Sequence, residues 1–162
     1  MLEYRPPRKN VIARVLVLIL LTLSVASFVT AALLPRLPFL FEALGLLLLL
    51  PTIQIVTRYL IVRHLYRIVP FEDGNADFEV YTYIGGDRMQ LVCRVGLEEI
   101  TAARPLTEEN RRPPAGMHRY NYCPDIRPRE ATVLSVTNGD GDCEVLITPD
   151  ARLLAALTPQ KQ

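Results

Sequence analysis

The chain has no tryptophan, two histidines, three cysteines and three serines among its 162 residues, and these shortages exclude several kinds of chemistry. Ser24 and Ser27 fall in an apolar stretch, which leaves Ser135 as the one serine outside it. No Ser/His/Asp or Cys/His set therefore has a supporting context for nucleophilic catalysis. Cys93, Cys123 and Cys143, with His64 and His118, are scattered and show no paired ligand spacing, so no metal site is expected. An odd cysteine count without framework spacing also argues against a disulfide-built secreted domain and points to a reducing compartment. Cys93 and Cys143 fall on inward strand positions and read as small core hydrophobes.

Other catalytic equipment is missing too. Gly85-Gly86 and Gly139/Gly141 sit in hairpin signals with no following helix, so no phosphate-cradling loop is present. Glu98 and Glu99 are adjacent, and adjacent strand residues point to opposite faces. Glu108-Glu109 reads as a solvated loop. Asn138, Asp140 and Asp142 alternate as calcium-loop ligands do, but Cys143 stands where such a loop needs glycine and Pro149 where it needs a bidentate acid. The expectation is a chain with no catalytic residues, no metal and no cofactor.

Charge is the next absence. Val15 to Leu34 carries none, and Phe39 to Val56 carries only Glu42. Twenty helical residues at roughly 1.5 Å each cover about 30 Å, the depth of a bilayer core. Two membrane spans are predicted, at about 12–34 and 38–60, joined by Pro35-Arg36-Leu37-Pro38. The arm before them holds Arg5, Arg8, Lys9 and Arg14 against Glu3; the flank after them holds Arg58, Arg63 and Arg67 with no acid. Cationic flanks resist translocation, which predicts a multi-pass protein of the plasma membrane with both termini cytoplasmic. The rival reading is a cleaved leader, with Val29-Thr30-Ala31 as processing site and a mature start at Ala32. Arg58, Arg63 and Arg67 are expected to touch anionic headgroups. Glu42 reads as an interfacial residue or as an intramembrane contact to another protein, and Pro51 as a mild kink.

Net charge divides along the same line. Residues 1–67 hold eight Lys/Arg and two acids, a net +6; residues 68–162 hold ten and fifteen, a net −5. An acidic domain is a poor partner for nucleic acid.

From residue 63 to 158 the pattern becomes β-like. Period-two alternation marks strands at 64–71, 78–84, 89–95, around Ile100, at Met117–Tyr122, Thr132–Thr137 and Cys143–Ile147, with turns at Asp73-Gly74-Asn75, Gly85-Gly86-Asp87 and Asn138-Gly139-Asp140-Gly141. Residues 104–130 are rich in proline and arginine and read as a long, partly mobile loop. Thr148 as N-cap, Pro149 at the first position and the stripe Leu153, Leu154, Leu157 predict a terminal amphipathic helix, followed by a frayed tail at 159–162. The expected fold is a membrane α-hairpin plus seven short strands in two curved antiparallel sheets, closed at one end by that helix.

Leu97-Glu98-Glu99-Ile100, and the ending Val145-Leu146-Ile147-Thr148-Pro149-Asp150 with its leucine stripe, resemble segments of the bacterial pleckstrin-homology-like domains, including the YcxB-type group attached to a two-helix hairpin. The resemblance covers about residues 60–158. It implies a PH-like, partly open barrel with a capping helix and a membrane-tethered scaffold or binding role, and it supplies no catalytic residues. Headgroup binding through the first hairpin loop, as in phosphoinositide-binding members, conflicts with the acidic loop Glu72–Asp77. A protein partner is the expected ligand, met through Tyr81, Tyr83, Tyr120 and Tyr122 and the cationic Arg111 and Arg112. The alternative is an accessory subunit of a larger membrane transporter or enzyme. Nothing in the sequence names the partner or the oligomeric state.

Overall fold

The computed structural model describes residues 1–34, 37–71, 74–86, 88–128, 130–139 and 141–158. Pro35-Arg36 of the expected connection, Glu72-Asp73, Asp87 and Asp140 of the expected turns, and the tail 159–162 lie outside the described residues. The chain forms two units, Lys9–Val62 and a second made of Met1–Arg8 with Arg63–Gln162.

The first unit is the helical hairpin. Helix α1 runs Val11–Leu33, and α2 runs Pro38–Ile55 before widening into a π-helical segment, Val56–Ile61. Pro38 opens α2, where a missing N–H costs nothing. Pro51 removes one rung of the hydrogen-bond ladder a turn before the widening. Both helices are long and apolar enough to cross a membrane. Leu18, Phe39, Leu47 and Leu50 are exposed, whereas the buried positions are mostly small: Ala13, Ser24, Ser27, Ala31, Gly45 and Thr52. Large apolar side chains outside and small ones at the seam suit a hairpin solvated by lipid.

Among its described residues the second unit contains eight strands where seven were expected. Strands β1 (Leu2–Tyr4), β2 (Arg63–Pro70), β3 (Ala76–Tyr83) and β4 (Met89–Gly96) form one antiparallel sheet in that order. The extra strand is β1, from the arm assigned by sequence to the membrane anchor; Leu2 pairs with Ile68 and Tyr4 with Tyr66. Three alternating residues are too few to register as a strand by pattern, and the exposed edge of β2 supplies what they lack. The second sheet has the order β5 (Ile100–Pro105), β7 (Thr132–Asn138), β8 (Gly141–Ile147), β6 (His118–Asn121). Its β6 runs parallel to β8, against the all-antiparallel expectation. The long segment before β6 makes this possible, because it lets the chain pass β7 and β8 before pairing.

The two sheets are not closed into a barrel. Between them lies the main core: Tyr66, Ile68, Phe78 and Val80 from the first sheet, Leu134, Val136, Val145 and Ile147 from the second, and Leu153 and Leu157 from the terminal helix α3, Ala151–Leu157. Asp150, rather than Thr148, caps α3: its Oδ1 accepts from the Leu153 N–H at 2.8 Å. A smaller cluster of Cys123, Ala131, Val133 and Leu146, with Leu106 against it, lies on the other face of the second sheet. The segment after β5 is tied down: Leu106 N–H donates to the Ala131 carbonyl at 2.8 Å, and Asn110 Nδ2 to the Pro105 carbonyl at 2.8 Å.

Candidate functional site

The outer face of the first sheet carries one row of alternating charge. Register places Glu3 opposite Arg67, Arg67 opposite Glu79, and Glu79 opposite Arg94, one residue from each strand. Arg67 Nη2 reaches Glu3 Oε2 at 3.3 Å, and its guanidinium lies 5.3 Å from the Tyr81 ring centre. Arg94 pairs with Glu79 and stands 3.5 Å from Asp77. Glu79 is the buried member, with 4% of its side chain exposed. Burial alone would raise its pKa, but the hydrogen bonds from Tyr81 and Arg94 and the charges of Arg94 and Arg67 outweigh it and hold the carboxyl below its ordinary range. The bond to Glu79 in turn holds the Tyr81 proton and raises its pKa.

A second carboxylate is clamped on the second sheet. Arg119 (β6) and Ser135 (β7) both lie opposite Glu144 (β8). Arg119 donates from Nε at 2.8 Å and Nη2 at 2.5 Å to Glu144 Oε2, and Arg104 Nη2 donates to Oε1 at 3.2 Å. Arg119 Nη1 also donates to the Arg111 carbonyl at 2.8 Å, which pins the preceding loop to the sheet. Glu79 and Glu144 were both missed as special by sequence: each sits at an ordinary outward position, and only the strand order shows which cations converge on it.

The sequence-selected residues do not form one site. Arg58 lies in the π-helical segment with its guanidinium 5.7 Å from the Tyr59 ring centre, and Arg63 is exposed at the start of β2. Arg67 stands in the middle of β2 and is engaged in the charge row. Tyr81 supports Glu79, and Tyr83 lies beneath the guanidinium of Arg5, 6.0 Å away. Arg111 pairs with Glu108 at 2.6 Å, and Arg112 is exposed in the same loop. Tyr120 is half exposed and stacks with His118. Tyr122 ties the sheets together: its hydroxyl donates to the Val92 carbonyl at 3.1 Å, while its own carbonyl accepts from the Tyr66 hydroxyl at 2.9 Å. Tyr120, Arg111 and Arg112 therefore remain as exposed neighbours of one loop and its following strand, and Tyr122 turns inward.

Within the hairpin, polar side chains serve the seam. Ser24 Oγ donates to the Gly45 carbonyl at 2.9 Å and Ser27 Oγ to the Phe41 carbonyl at 2.7 Å. Asn10 Nδ2 donates to the Tyr59 carbonyl at 2.6 Å, near the end of the π-helical segment where carbonyls lose their helical partners. A Cβ on Gly45 would stand 2.9 Å from the Phe28 ring, so a larger residue there requires that ring to shift. Glu42 is exposed on α2.

Burial pushes the Cys93 and Cys123 thiols up to about 11, away from thiolate reactivity. Among the described residues no three His, Cys, Asp or Glu side chains gather where a metal ion would fit. No family model, curated protein or solved structure matches the chain.

Proposed function

We propose that this chain is a membrane-anchored, non-enzymatic adaptor that presents a β-domain at the cytoplasmic membrane face to a protein partner. The observation that carries the reading is the pairing of β1 with β2. One strand precedes the two helices and the other follows them, so a pairing between them needs both flanks on one side of the bilayer. An even number of crossings supplies that. The cationic flanks favour the cytoplasm of the plasma membrane as that side.

The adaptor reading draws on what the polar groups are used for. Ser24 and Ser27 bond helix carbonyls, the Ser135 hydroxyl accepts from Arg104, and the buried carboxylates are neutralised within their sheets. Among the described residues, Tyr120 and Arg112 stand exposed on and beside the second sheet, an aromatic and a cation that suit an acidic protein surface. A PH-like ancestry of the YcxB type fits the sequence order of strands and the capping helix, with β1 as an addition. A second reading, an accessory subunit of a larger membrane complex, rests on Glu42, whose exposure on α2 leaves it available to another helix.

Affinity capture of the full chain from solubilised membranes, read by mass spectrometry, tests both. Loss of the captured protein with Arg112→Glu and Tyr120→Ala, and retention with Glu42→Gln, is expected for the adaptor. The reverse pattern selects the subunit reading.

A further inference from the structure

We propose that the β3–β4 hairpin, which carries the exposed Ile84, contacts the anionic headgroup layer of the membrane. The inference rests on α1 and α2 being membrane spans. Register puts the hairpin at a particular end of the first sheet. Arg63, two residues after the last residue of the π-helical segment, pairs with Tyr83, and Tyr83 pairs with Met89. Ile84, Gly85, Gly86 and Arg88 therefore lie at the end of the sheet where β2 begins. The N-terminal arm heads the same way, because the chain leaves β1 beyond the Tyr4–Tyr66 pair.

This end combines apolar exposure with positive charge. Ile84 is 60% exposed, and Met89 and Leu91 are exposed beside it. The cations are Arg5 above the Tyr83 ring, Arg63, Arg88, and Arg8, whose electrostatic neighbours are Arg63, Tyr83 and Asp125. Asp87 is the acid of the hairpin sequence. At the far end of the same sheet, seven residue steps or about 23 Å along β2, the charge reverses: Asp77, Glu98 and Glu99 are there. Anionic lipid attracts the first end and repels the second. An apolar tip inside a basic rim is the composition that seats at a headgroup boundary.

The test places a photoreactive benzophenone amino acid in the full chain at Ile84, and in a second protein at Glu98, each reconstituted into phosphatidylcholine vesicles with phosphatidylglycerol. Lipid adducts are counted after illumination. The expected result is a yield at residue 84 about fivefold or more above that at 98, falling when phosphatidylglycerol is omitted. Equal yields at the two positions, or none at 84, overturn the proposal, and an unchanged yield without phosphatidylglycerol overturns the part played by the basic rim. Alkaline extraction of the same vesicles separates the causes: a chain that resists extraction yet gives no adduct at 84 refutes the hairpin contact alone, whereas a chain that is extracted refutes the spans and this contact with them.

Discussion

Arg94 directs both Nε and Nη2 onto one oxygen of Glu79, Oε1, at 2.9 and 2.5 Å, which leaves Oε2 to the Tyr81 hydroxyl at 2.7 Å. The carboxylate is thus satisfied on both oxygens while nearly excluded from water. Glu79→Ala removes the group that Arg67, Arg94 and Tyr81 all face. Arg94 is half exposed and rehydrates, so the loss is moderate, about 2 kcal/mol. Tyr81→Phe removes a single bond and costs about 1 kcal/mol. Denaturant unfolding of the detergent-solubilised chain, followed by tyrosine fluorescence, measures both; a Tyr81→Phe loss equal to that of Glu79→Ala would contradict the shared-acceptor arrangement.

The same carboxylate gives stability a pH dependence of known sign. Its folded pKa lies below the ordinary value of 4.5, because the Tyr81 and Arg94 bonds outweigh burial. A group depressed on folding contributes fully above its unfolded pKa and loses that contribution as pH falls through the folded one. Acid unfolding below about pH 4.5 should therefore be shallower in Glu79→Ala than in the parent chain. Parallel acid profiles for the two proteins would remove Glu79 from the account.

Glu144 is held differently, and its prediction is larger. Arg119 has 8% of its side chain exposed against 52% for Arg104, so only Arg104 can take up water when the carboxylate is lost. Glu144→Ala leaves a buried guanidinium without its counter-charge, at a cost of about 3 kcal/mol. Arg119→Ala should also release the Arg111 carbonyl and expose the loop. Trypsin cleavage after Arg111 should then quicken well beyond that in Arg104→Ala; Arg112 precedes Pro113 and is not cut. Equal cleavage rates in the two variants would show that Arg119 does not restrain the loop.

Much of this was legible in the sequence, for physical reasons that differ by element. The two long apolar helices were plain because twenty uncharged residues have few other solutions, and β3 because Phe78-Glu79-Val80 alternates. The strand β4 was also found, but not its face: a register shift at Val80/Tyr81 leaves Met89 and Leu91 exposed, whereas Cys93 and Val95 pack on the core. β1 was not, since Leu2-Glu3-Tyr4 is a strand only by virtue of the β2 edge beside it. The α3 start was placed two residues early because Thr148-Pro149-Asp150 offers two capping residues and composition cannot rank them in place. The fold separates two residues of the candidate surface: Tyr120 and Tyr122 look alike in sequence, but one is exposed beside His118 and the other bonds across the sheets to Val92. Which cation meets which acid depends on strand order, and the parallel β6 that brings Arg119 to Glu144 has no local signal.

The cysteines give a prediction about reactivity. Burial raises the Cys93 and Cys123 thiols to about 11 and raises Cys143 as well. The thiolate is the reactive form, so its population near neutral pH is small. Maleimide at pH 7.5 should label the folded chain slowly and all three positions rapidly once it is unfolded. Rapid labelling of Cys93 or Cys123 in the folded chain would mean that a thiol is exposed or activated, and would reopen the question of chemistry at that position.

The hairpin seam offers a test in which lipid, not water, is the reference. Ser24 and Ser27 sit one turn apart on α1 and donate to carbonyls of Gly45 and Phe41, also one turn apart on α2, so the two bonds form consecutive rungs. In a bilayer such bonds are worth about 0.6 kcal/mol each, because the separated helices find other partners. Ser24→Ala with Ser27→Ala should therefore weaken the hairpin by only about 1 kcal/mol. Gly45→Leu should do more, since the branched side chain must occupy the space in which even a Cβ would stand 2.9 Å from Phe28. Fluorophores placed near Val11 and Ile61 report the splaying as a loss of energy transfer during titration with a harsh detergent. A midpoint in Gly45→Leu no lower than in the double serine variant would mean that close backbone approach does not hold the helices together.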